Sequence, residues 1–120
     1  MLMQLVALLA AQSPSGIEVE MPVVRALPRH PLAAHISDRD YPAAARQNGE
    51  QGIVRLSLDV GVDGRVTRCA ITRSSGSRSL DVTTCRIVRS RARFTPARDG
   101  AGNPVPDRVE SAIEWQHGGS

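Results

Sequence analysis

The chain has 120 residues, enough for one compact domain but too few for two well-buried cores. Apolar residues make up 41% of it, yet it holds one Trp, one Tyr and one Phe, so stacking of nucleic-acid bases on aromatic rings is not expected. All fifteen basic residues are Arg, and the net charge of +3 allows a polyanionic partner without requiring one. The composition excludes a collagen-like chain, a polytopic membrane protein and a disulfide-dense mini-protein.

The chain opens with an apolar segment that runs from Met1 to Ala11 and is interrupted only by Gln4. Its length is about half of the roughly 20 residues that a transmembrane helix needs, and it fits the apolar region of a signal peptide. We therefore predict that residues 1–12 are a signal peptide or a short hydrophobic anchor. No Arg precedes the apolar segment, so a plain buried helix is the third interpretation.

Residues 13–40 carry four prolines and show no sustained helical period, which is typical of a linker or an extended arm. Alternating apolar residues at 17–21 predict a short edge strand that Pro22 ends. His30 and His35 lie in the same segment, and we expect them to be solvated loop residues. A zinc site is not expected, because zinc normally takes three or four ligands at suitable spacing.

The organised part of the chain is predicted to begin at Tyr41. Pro42 suits the first position of a helix, where no amide hydrogen is needed. The helix formers that follow it run to Asn48 and Gly49, which are natural stop residues. The sequence therefore predicts a helix of about two turns.

Two strands are predicted next. From Ile53 to Val60, apolar and polar residues alternate, which predicts a strand with one buried face. Asp63 and Gly64 indicate a turn, and a second strand is predicted from Arg65 to Arg73. Its alternation changes phase between Val66 and Cys69, so we expect a bulge there or a late entry of the strand into the sheet.

A second helix is predicted from Leu80 to Ala92, with Ser79 as its cap and Asp81 in the first turn, where the helix dipole favours an anion. Four arginines crowd its C-terminal end: Arg86, Arg89, Arg91 and Arg93. We interpret them as solvated side chains that complement the helix dipole, rather than as a nucleic-acid site.

After the second helix, a loop rich in Gly and Pro leads to alternating residues at 107–116, which predict the last strand. The element order is then helix, strand, strand, helix, strand, with a tail at 117–120. This order predicts an α+β domain with a three-stranded antiparallel sheet and two helices on one face.

The sequence has none of the motifs that catalysis usually needs. It has no glycine-rich phosphate loop after a strand, no cluster of metal ligands and no serine in a nucleophile elbow. We therefore expect no enzymatic activity, no cofactor, no metal and no small-molecule substrate.

An ordered set of short motifs lies between residues 41 and 116, and its members are Tyr41, Pro42, Gly49, Gly52, Gly64, Ser74, Ser75, Gly76, Leu80, Asp81, Phe94 and Pro96. In this order, the set resembles the C-terminal domain of the TonB energy-transducer family. The resemblance implies a periplasmic module that grips an extended segment of an outer-membrane transporter, the TonB box, or another envelope protein, by strand addition. It implies no nucleic-acid partner.

The chain also departs from a full energy transducer of this family. Such a protein has a membrane helix with a functional His, followed by a long Pro-rich spacer, whereas this chain has no His before His30. Its 28-residue arm spans at most about 90 Å as a polyproline helix. The alternatives are therefore a membrane-anchored transducer with an atypical anchor, associated with the inner membrane, and a basic adaptor that binds nucleic acid or anionic lipid.

In the fold that this resemblance implies, the second helix packs back over the sheet. It would bring Cys85 on the helix close to Cys69 on the inward face of the second strand, so we predict a disulfide between them. An oxidising compartment such as the periplasm would allow the bond to persist. Two buried thiols are the alternative.

The same fold lets the final strand cross over and pair on the far side of the first strand, which leaves residues 107–116 at an open sheet edge. We predict that this edge, with Arg108, Glu110, Ala112 and Glu114, binds an extended peptide, and that the three charged residues provide side-chain discrimination. The alternatives are a protected edge and an edge used for a homodimer.

Overall fold

The structure is a computed structural model and describes residues 22–116. In chain order its elements are β1 (Leu27–Pro28), two short 3₁₀ helices (Leu32–His35 and Asp38–Asp40), α1 (Ala43–Gln47), β2 (Gly52–Val60), β3 (Val66–Arg73), α2 (Arg78–Arg91), β4 (Phe94–Thr95), β5 (Ala97–Arg98), β6 (Pro104–Val105) and β7 (Asp107–Trp115). The predicted signal peptide, the predicted strand at 17–21 and the tail at 117–120 lie outside the described residues.

The main sheet has three antiparallel strands in the order β3-β2-β7. The side chains of Val54, Leu56, Leu58 and Val60 alternate along β2 and are all buried. This is the period-two pattern of a strand that packs one face on a core, so the predicted strand is confirmed.

The two helices lie on the buried face of this sheet. Leu80, Thr84, Ile87 and Val88 line one side of α2 and are buried, and Ala45 is the buried residue of α1. The predicted fold class, an α+β domain with two helices on one face of a three-stranded antiparallel sheet, is confirmed.

The pairing of β2 with β3 contains the expected bulge. Val60 lies opposite Val66, but Asp59 lies opposite Arg68, so Thr67 is an extra residue on β3. The phase change in the sequence after Val66 comes from this residue.

The predicted cap of α2 was wrong by two residues. Ser77 rather than Ser79 precedes the helix, and its Oγ accepts a hydrogen bond from the backbone N–H of Leu80 at 3.2 Å. Ser77 Oγ also donates to Glu50 Oε1 at 2.6 Å, a contact between residues far apart in the sequence. This contact holds Ser77 in place, and a local sequence pattern does not show it. The helix ends at Arg91, and Ala92 is its C-cap.

The segment between α2 and β7 was expected to be a loop, but it contains three short strands. Phe94 and Thr95 pair with β1, and β5 forms a small antiparallel ladder with β6. These strands are two residues long, too short to produce an alternating pattern in the sequence.

Residues 22–40 lie in the predicted arm, and in the structure they pack against the domain. Ala26 and Leu32 are buried in the core, and Val24 forms an isolated bridge with Arg98. His35 is half-buried, so the expectation that it is a solvated loop residue was wrong. None of the helices in the described part of the chain has the length and apolar character needed to cross a lipid bilayer.

Candidate functional site

The outer edge of β7 is the candidate site. β7 pairs with β2 over nine residues, from Gly52 opposite Trp115 to Val60 opposite Asp107. In the three-stranded sheet β7 has a neighbour on this one side, so the prediction that the last strand crosses over to become an edge strand is confirmed.

The backbone of Arg108 shows which residues of β7 face the open edge. Its N–H donates to Asp107 Oδ1 at 2.8 Å, and its carbonyl oxygen accepts from Arg25 Nη2 at 2.7 Å, so both groups point away from β2. Backbone groups of alternate residues in an antiparallel strand point to the same side. The N–H and C=O groups of Glu110, Ala112 and Glu114 therefore face the open edge too.

These three residues have free backbone groups within the described part of the chain. Between residues 22 and 116, no backbone hydrogen bond outside the regular strands joins Glu110, Ala112 or Glu114 to another segment. A row of unpaired donors and acceptors is a template for one more strand.

The side chains of β7 divide between the two faces of the sheet. Arg108, Glu110, Ala112 and Glu114 are exposed and lie on the face that carries no helix, whereas Ile113 and its alternate neighbours point towards the core. Arg108 Nε is 2.9 Å from Asp59 Oδ1, and this hydrogen bond raises the pKa of Arg108 above its usual value. The guanidinium of Arg108 is therefore held as a cation on the exposed face.

The arm is hydrogen-bonded to Asp107, the first residue of β7. Arg25 Nε and the backbone N–H of Ala26 both donate to Asp107 Oδ2, at 2.8 and 3.0 Å. Burial of Asp107 opposes its ionisation, but the hydrogen bonds from Arg25, Ala26 and Arg108 outweigh it and hold its pKa below the usual value. Asp107 is therefore an ionised anchor for the arm.

A pocket lies beside each end of the edge, with the arm as its second wall. One has a volume of about 550 Å³ and is lined by Arg25, Ala26, Arg108, Val109 and Glu110. The other has a volume of about 140 Å³, and its lining includes Ala33, Ile36, Tyr41, Ile113 and Trp115. Residues of the arm thus lie beside both ends of the β7 edge.

Two aromatic side chains that line the second pocket, Tyr41 and Trp115, are held in place by neighbouring groups. The rings of Tyr41 and Trp115 meet edge to face, with centroids 5.2 Å apart. Trp115 Nε1 donates to Thr84 Oγ1 at 2.8 Å, and Tyr41 donates from its hydroxyl to the carbonyl oxygen of Glu50. These bonds fix the end of β7 against α2.

Most of the motif residues are structural. Asp81 accepts hydrogen bonds from the side chains of Ser74 and Ser75 and from the backbone N–H of Ser75, so it ties the loop after β3 to the first turn of α2. Gly76 lies in this loop with a positive φ. Leu80 and Phe94 are buried in the core.

The other motif residues shape turns. Pro42 directly precedes α1, and Gly49 follows its end. Gly52 and Gly64 have positive φ and lie against backbone atoms of other segments, and Pro96 separates β4 from β5. Of all the motif residues, Tyr41 alone lines the pockets beside the β7 edge, so the motif indicates the fold more than the site.

The sequence did not indicate the contribution of the arm to this site. Arg25 and Ala26 contact residues more than eighty positions away, and no local pattern reports such a contact. The apolar spacing of Leu32 and Ile36, one helical turn apart, was the signal that this segment packs on the domain.

Arg91 has a role beyond the predicted one. Its guanidinium forms two hydrogen bonds with the carboxylate of Asp40, at 2.9 and 3.0 Å, and Nη1 also donates to the carbonyl oxygen of His35 at 2.8 Å. Arg91 is exposed in the last turn of α2, as expected, and it also clamps the arm to α2.

Cys69 and Cys85 form a disulfide in the structure, with their Cα atoms 5.6 Å apart. The bond joins β3 to α2 on the buried side of the sheet, where the predicted pairing placed it. Across residues 22–116, no three His, Cys, Asp or Glu side chains converge in a way that could hold a metal ion.

The comparisons with known proteins agree on one family. The sequence profile described as "Gram-negative bacterial TonB protein C-terminal" matches residues 37–116. The protein TonB of Pseudomonas putida is 43% identical over 49 residues, which are 41% of this chain and 20% of that protein. The protein TonB of Haemophilus influenzae is 36% identical over 62 residues, which are 52% of this chain and 22% of that protein. The matched part thus spans about a fifth of the length of these relatives.

Two solved structures share the fold. The solution structure of the Pseudomonas aeruginosa TonB C-terminal domain aligns with a TM-score of 0.53 at 24% identity, covering 67% of this chain and 79% of that one. The Helicobacter pylori TonB C-terminal domain aligns with a TM-score of 0.52 at 20% identity, covering 74% and 79%. At these identities, the likeness concerns the fold alone.

Proposed function

The chain belongs to the family of Gram-negative TonB C-terminal domains, and we propose on this premise that it is a protein-binding module whose binding site is the free edge of β7. This family takes part in protein interaction and energy transduction and is not enzymatic. The partner that we propose is an extended, TonB box-like segment of an outer-membrane transporter, or of another envelope protein, which adds to β7 as a further strand.

The proposal rests on the direction of the backbone groups of Glu110, Ala112 and Glu114, which point away from β2. Their backbone groups face the open edge and have no partner segment among the described residues. In strand addition, main-chain hydrogen bonds supply affinity and the neighbouring side chains supply discrimination. Arg108 would favour an acidic side chain on the incoming strand, and the two glutamates would favour basic ones.

The compartment that we propose is the periplasm. The disulfide between Cys69 and Cys85 supports it, because such bonds persist in oxidising compartments. Mass spectrometry of the chain from a periplasmic fraction tests it. A mature chain that begins near Gln12 would exclude a membrane anchor, whereas an unprocessed chain in the inner membrane would favour the alternative of an anchored energy transducer.

The variant Ala112→Pro tests the binding edge. Proline removes the N–H of Ala112, which points away from β2, so it removes one donor for an added strand while the β2–β7 ladder keeps its bonds. Titration of ¹⁵N-labelled protein with a synthetic peptide from the periplasmic segment of a transporter should show binding weakened about tenfold or more. The unfolding midpoint in urea should fall less than binding does.

Ala112→Thr is the matched control. It keeps the backbone N–H and adds a β-branched side chain that strands favour, so binding should stay within about threefold of the native value. A bound peptide that leaves the amide shifts of residues 107–116 unchanged and moves those of Leu80 to Ala92 would show that strand addition at this edge is wrong.

A further inference from the structure

The outer edge of β3 is a second row of free backbone groups. Asp59 lies opposite Arg108 on β7 and opposite Arg68 on β3. Since the backbone groups of Arg108 point away from β2, those of Asp59 point towards β3 and pair with Arg68. The groups of Cys69 and Ile71, which are out of phase with Arg68, therefore point away from β2. Within the described part of the chain, no backbone hydrogen bond outside the regular strands joins either residue to another segment.

Apolar side chains beside this edge are only partly covered. Ile71 is 37% exposed although it points to the face that carries the helices, where its partner Leu56 is buried. Val82 on α2 is 55% exposed. In the sequence, both lie between two connections of β3 to α2, the disulfide and the hydrogen bonds from Ser75 to Asp81. Ile71 and Val82 therefore form an apolar strip on the helix side of the edge.

The opposite face of the same edge is basic. Arg68 and Arg73 are exposed on the face that carries no helix, and neither forms an ion pair with the described residues. Asp59, which lies opposite Arg68, is already held by Arg108 Nε at 2.9 Å. β3 itself carries no acidic residue. An added strand therefore fits best when apolar side chains on its helix side alternate with acidic ones on the other side.

One segment of this chain has that alternation. Residues 17–21 read Ile-Glu-Val-Glu-Met, and Pro22 follows them. A signal peptide of residues 1–12 would leave this segment in the mature chain.

The segment joins the described part of the chain beside the beginning of β3. Pro22 and Thr67 line the same pocket, which has a volume of about 760 Å³ and also contacts the turn between β2 and β3. A chain that runs back from Pro22 along β3 is antiparallel to it. Five extended residues span at most about 18 Å, so residues 17–21 can follow β3 over residues 67–71.

One antiparallel register satisfies both faces of the edge. With Glu20 opposite Arg68, an opposite-charge pair forms on the face that carries no helix. In the same register Ile17 lies opposite Ile71, so an aliphatic pair covers the apolar strip. Because the backbone groups of Ile71 point outwards, this pair is also hydrogen-bonded through the main chain.

Other registers satisfy fewer of these contacts. A shift of one residue places both glutamates of the segment on the helix side. A shift of two residues in one direction moves Glu20 from Arg68 to Ala70, and a shift in the other direction places it opposite the buried Val66.

The edge of β7 does not suit this segment. Its exposed face carries Glu110 and Glu114, and like charges in directly opposed positions destabilise a strand pair. The carbonyl oxygen of Arg108 is also occupied, because Arg25 Nη2 donates to it at 2.7 Å. Charge therefore favours β3 over β7 for residues 17–21.

We propose that residues 17–21 add to the outer edge of β3 as an antiparallel strand, with Glu20 opposite Arg68 and Ile17 opposite Ile71. The main sheet then has four strands, and β7 is its one open edge. An extended partner would find a single site for strand addition, because the chain covers its other edge itself. This inference does not depend on which protein binds to β7.

Disulfide trapping tests the position of the segment. In this register Glu18 lies opposite Ala70 as a non-hydrogen-bonded pair. Such a pair has its Cα atoms about 4.5 Å apart, within the range of about 4.4 to 6.8 Å for disulfides. The double variant Glu18→Cys and Ala70→Cys should therefore cross-link within one chain on oxidation. Both native cysteines are paired, so the two introduced thiols are the free ones.

The matched control combines Glu18→Cys with Ala112→Cys. Ala70 and Ala112 are exposed alanines on the same face of the sheet, one on each outer strand. In a glutathione redox buffer, the equilibrium constant for the bond from residue 18 to residue 70 should exceed that for residue 112 by about tenfold or more.

Amide hydrogen exchange provides a readout that needs no new thiols. Val19→Pro removes the N–H that faces Cys69, so the amides of Cys69 and Ile71 should exchange about tenfold faster than in the native chain. Glu18→Pro is the matched control. The N–H of Glu18 points away from β3 in this register, so exchange of both amides should stay within about threefold of the native rate.

Equal cross-linking of the two double variants, or no cross-link at residue 70, would overturn the proposal. A bond between residues 18 and 70 of different chains, seen as a dimer on a non-reducing gel, would also overturn it, since a second copy would then occupy the edge. The same holds if exchange of the Ile71 amide is unchanged in Val19→Pro. None of these outcomes bears on peptide binding at β7, which Ala112→Pro tests separately.

Discussion

The carboxylate of Asp107 accepts a hydrogen bond from Arg25 Nε at 2.8 Å, across 82 positions of the chain. The side chain of Asp107 is 5% exposed, whereas that of Arg25 is 62% exposed. The backbone N–H groups of Ala26 and Arg108 also donate to this carboxylate. Asp107 is therefore the point at which the arm is fastened to the first residue of β7.

Replacing Asp107 should weaken the fold more than replacing an exposed acid. Asp107→Ala leaves three donors without their acceptor, and the free energy of unfolding in urea should fall by about 2 kcal/mol. Asp38→Ala is the control, since Asp38 is exposed and its carboxylate forms no hydrogen bond or ion pair with the described residues. Its effect should stay within about 0.5 kcal/mol. Equal effects of the two variants would contradict the anchoring role of Asp107.

The stability of the arm should depend on the protonation of His35. Burial lowers the pKa of His35, and electrostatic repulsion from His30, Arg91 and Arg93 lowers it further. Its Nε2 is buried without a hydrogen-bond partner among the described residues. Because the unfolded chain binds the proton more tightly, His35 makes stability fall as pH drops below about 6.5, the ordinary histidine pKa.

The pH dependence can be measured by urea unfolding between pH 7.5 and 5. The variant His35→Gln cannot take up the proton, so its stability should change less over this range than that of the native chain. Asp40 titrates in a different range, because Arg91 holds its pKa well below the usual value and its contribution is lost only in stronger acid, below about pH 4. An unchanged slope in His35→Gln would refute the role of His35.

The disulfide should contribute strongly to a core that is poor in aromatic residues. Cys69 and Cys85 are 16 positions apart, and closing a loop of this length stabilises a fold by about 3 kcal/mol. The double variant Cys69→Ala and Cys85→Ala should lose about this amount in urea unfolding. Reductant should lower the native chain to the same level and leave the variant unchanged. Two free thiols on periplasmic material, labelled under denaturing and non-reducing conditions, would show that the bond does not form there.

Gly64 should tolerate no side chain. Its φ is +84°, and a Cβ atom at this position would lie 2.1 Å from the carbonyl oxygen of Phe94. Gly64→Ala should therefore lower the free energy of unfolding by about 3 kcal/mol or more. Gly76 is the matched control because its φ is +97° but its surroundings are open, so Gly76→Ala should cost only the backbone strain, about 1 kcal/mol.

The arginines at the end of α2 should not bind the partner. Replacing Arg86 and Arg89 by Gln should change the salt response and leave peptide affinity within a few fold, because neither lines the pockets beside the β7 edge. Arg91 is kept in this experiment, since it clamps the arm through Asp40. A hundredfold loss of binding with an intact fold would instead favour the basic-adaptor interpretation.

The strands and helices could be predicted where buried apolar residues recur at a regular spacing in the sequence. The alternation of β2 and β7 and the apolar side of α2 follow from periodic burial, and the bulge at Thr67 followed from a break in that period. The cap at Ser77 could not be predicted, because Glu50 fixes it across the fold. The site was predicted as one strand edge, but its second wall depends on Arg25 and other arm residues that meet β7 only in three dimensions.

The fastening of the arm also determines how the domain would respond to tension on residue 22. The arm is held by a two-residue ladder between β1 and β4, a bridge at Val24, side-chain hydrogen bonds and the burial of Ala26 and Leu32, whereas β2 and β7 are joined over nine residues. A pulling force would therefore release residues 22–36 before the sheet yields. When fully extended, the released segment would span at most about 50 Å, while β7 and any strand bound to it stay in place.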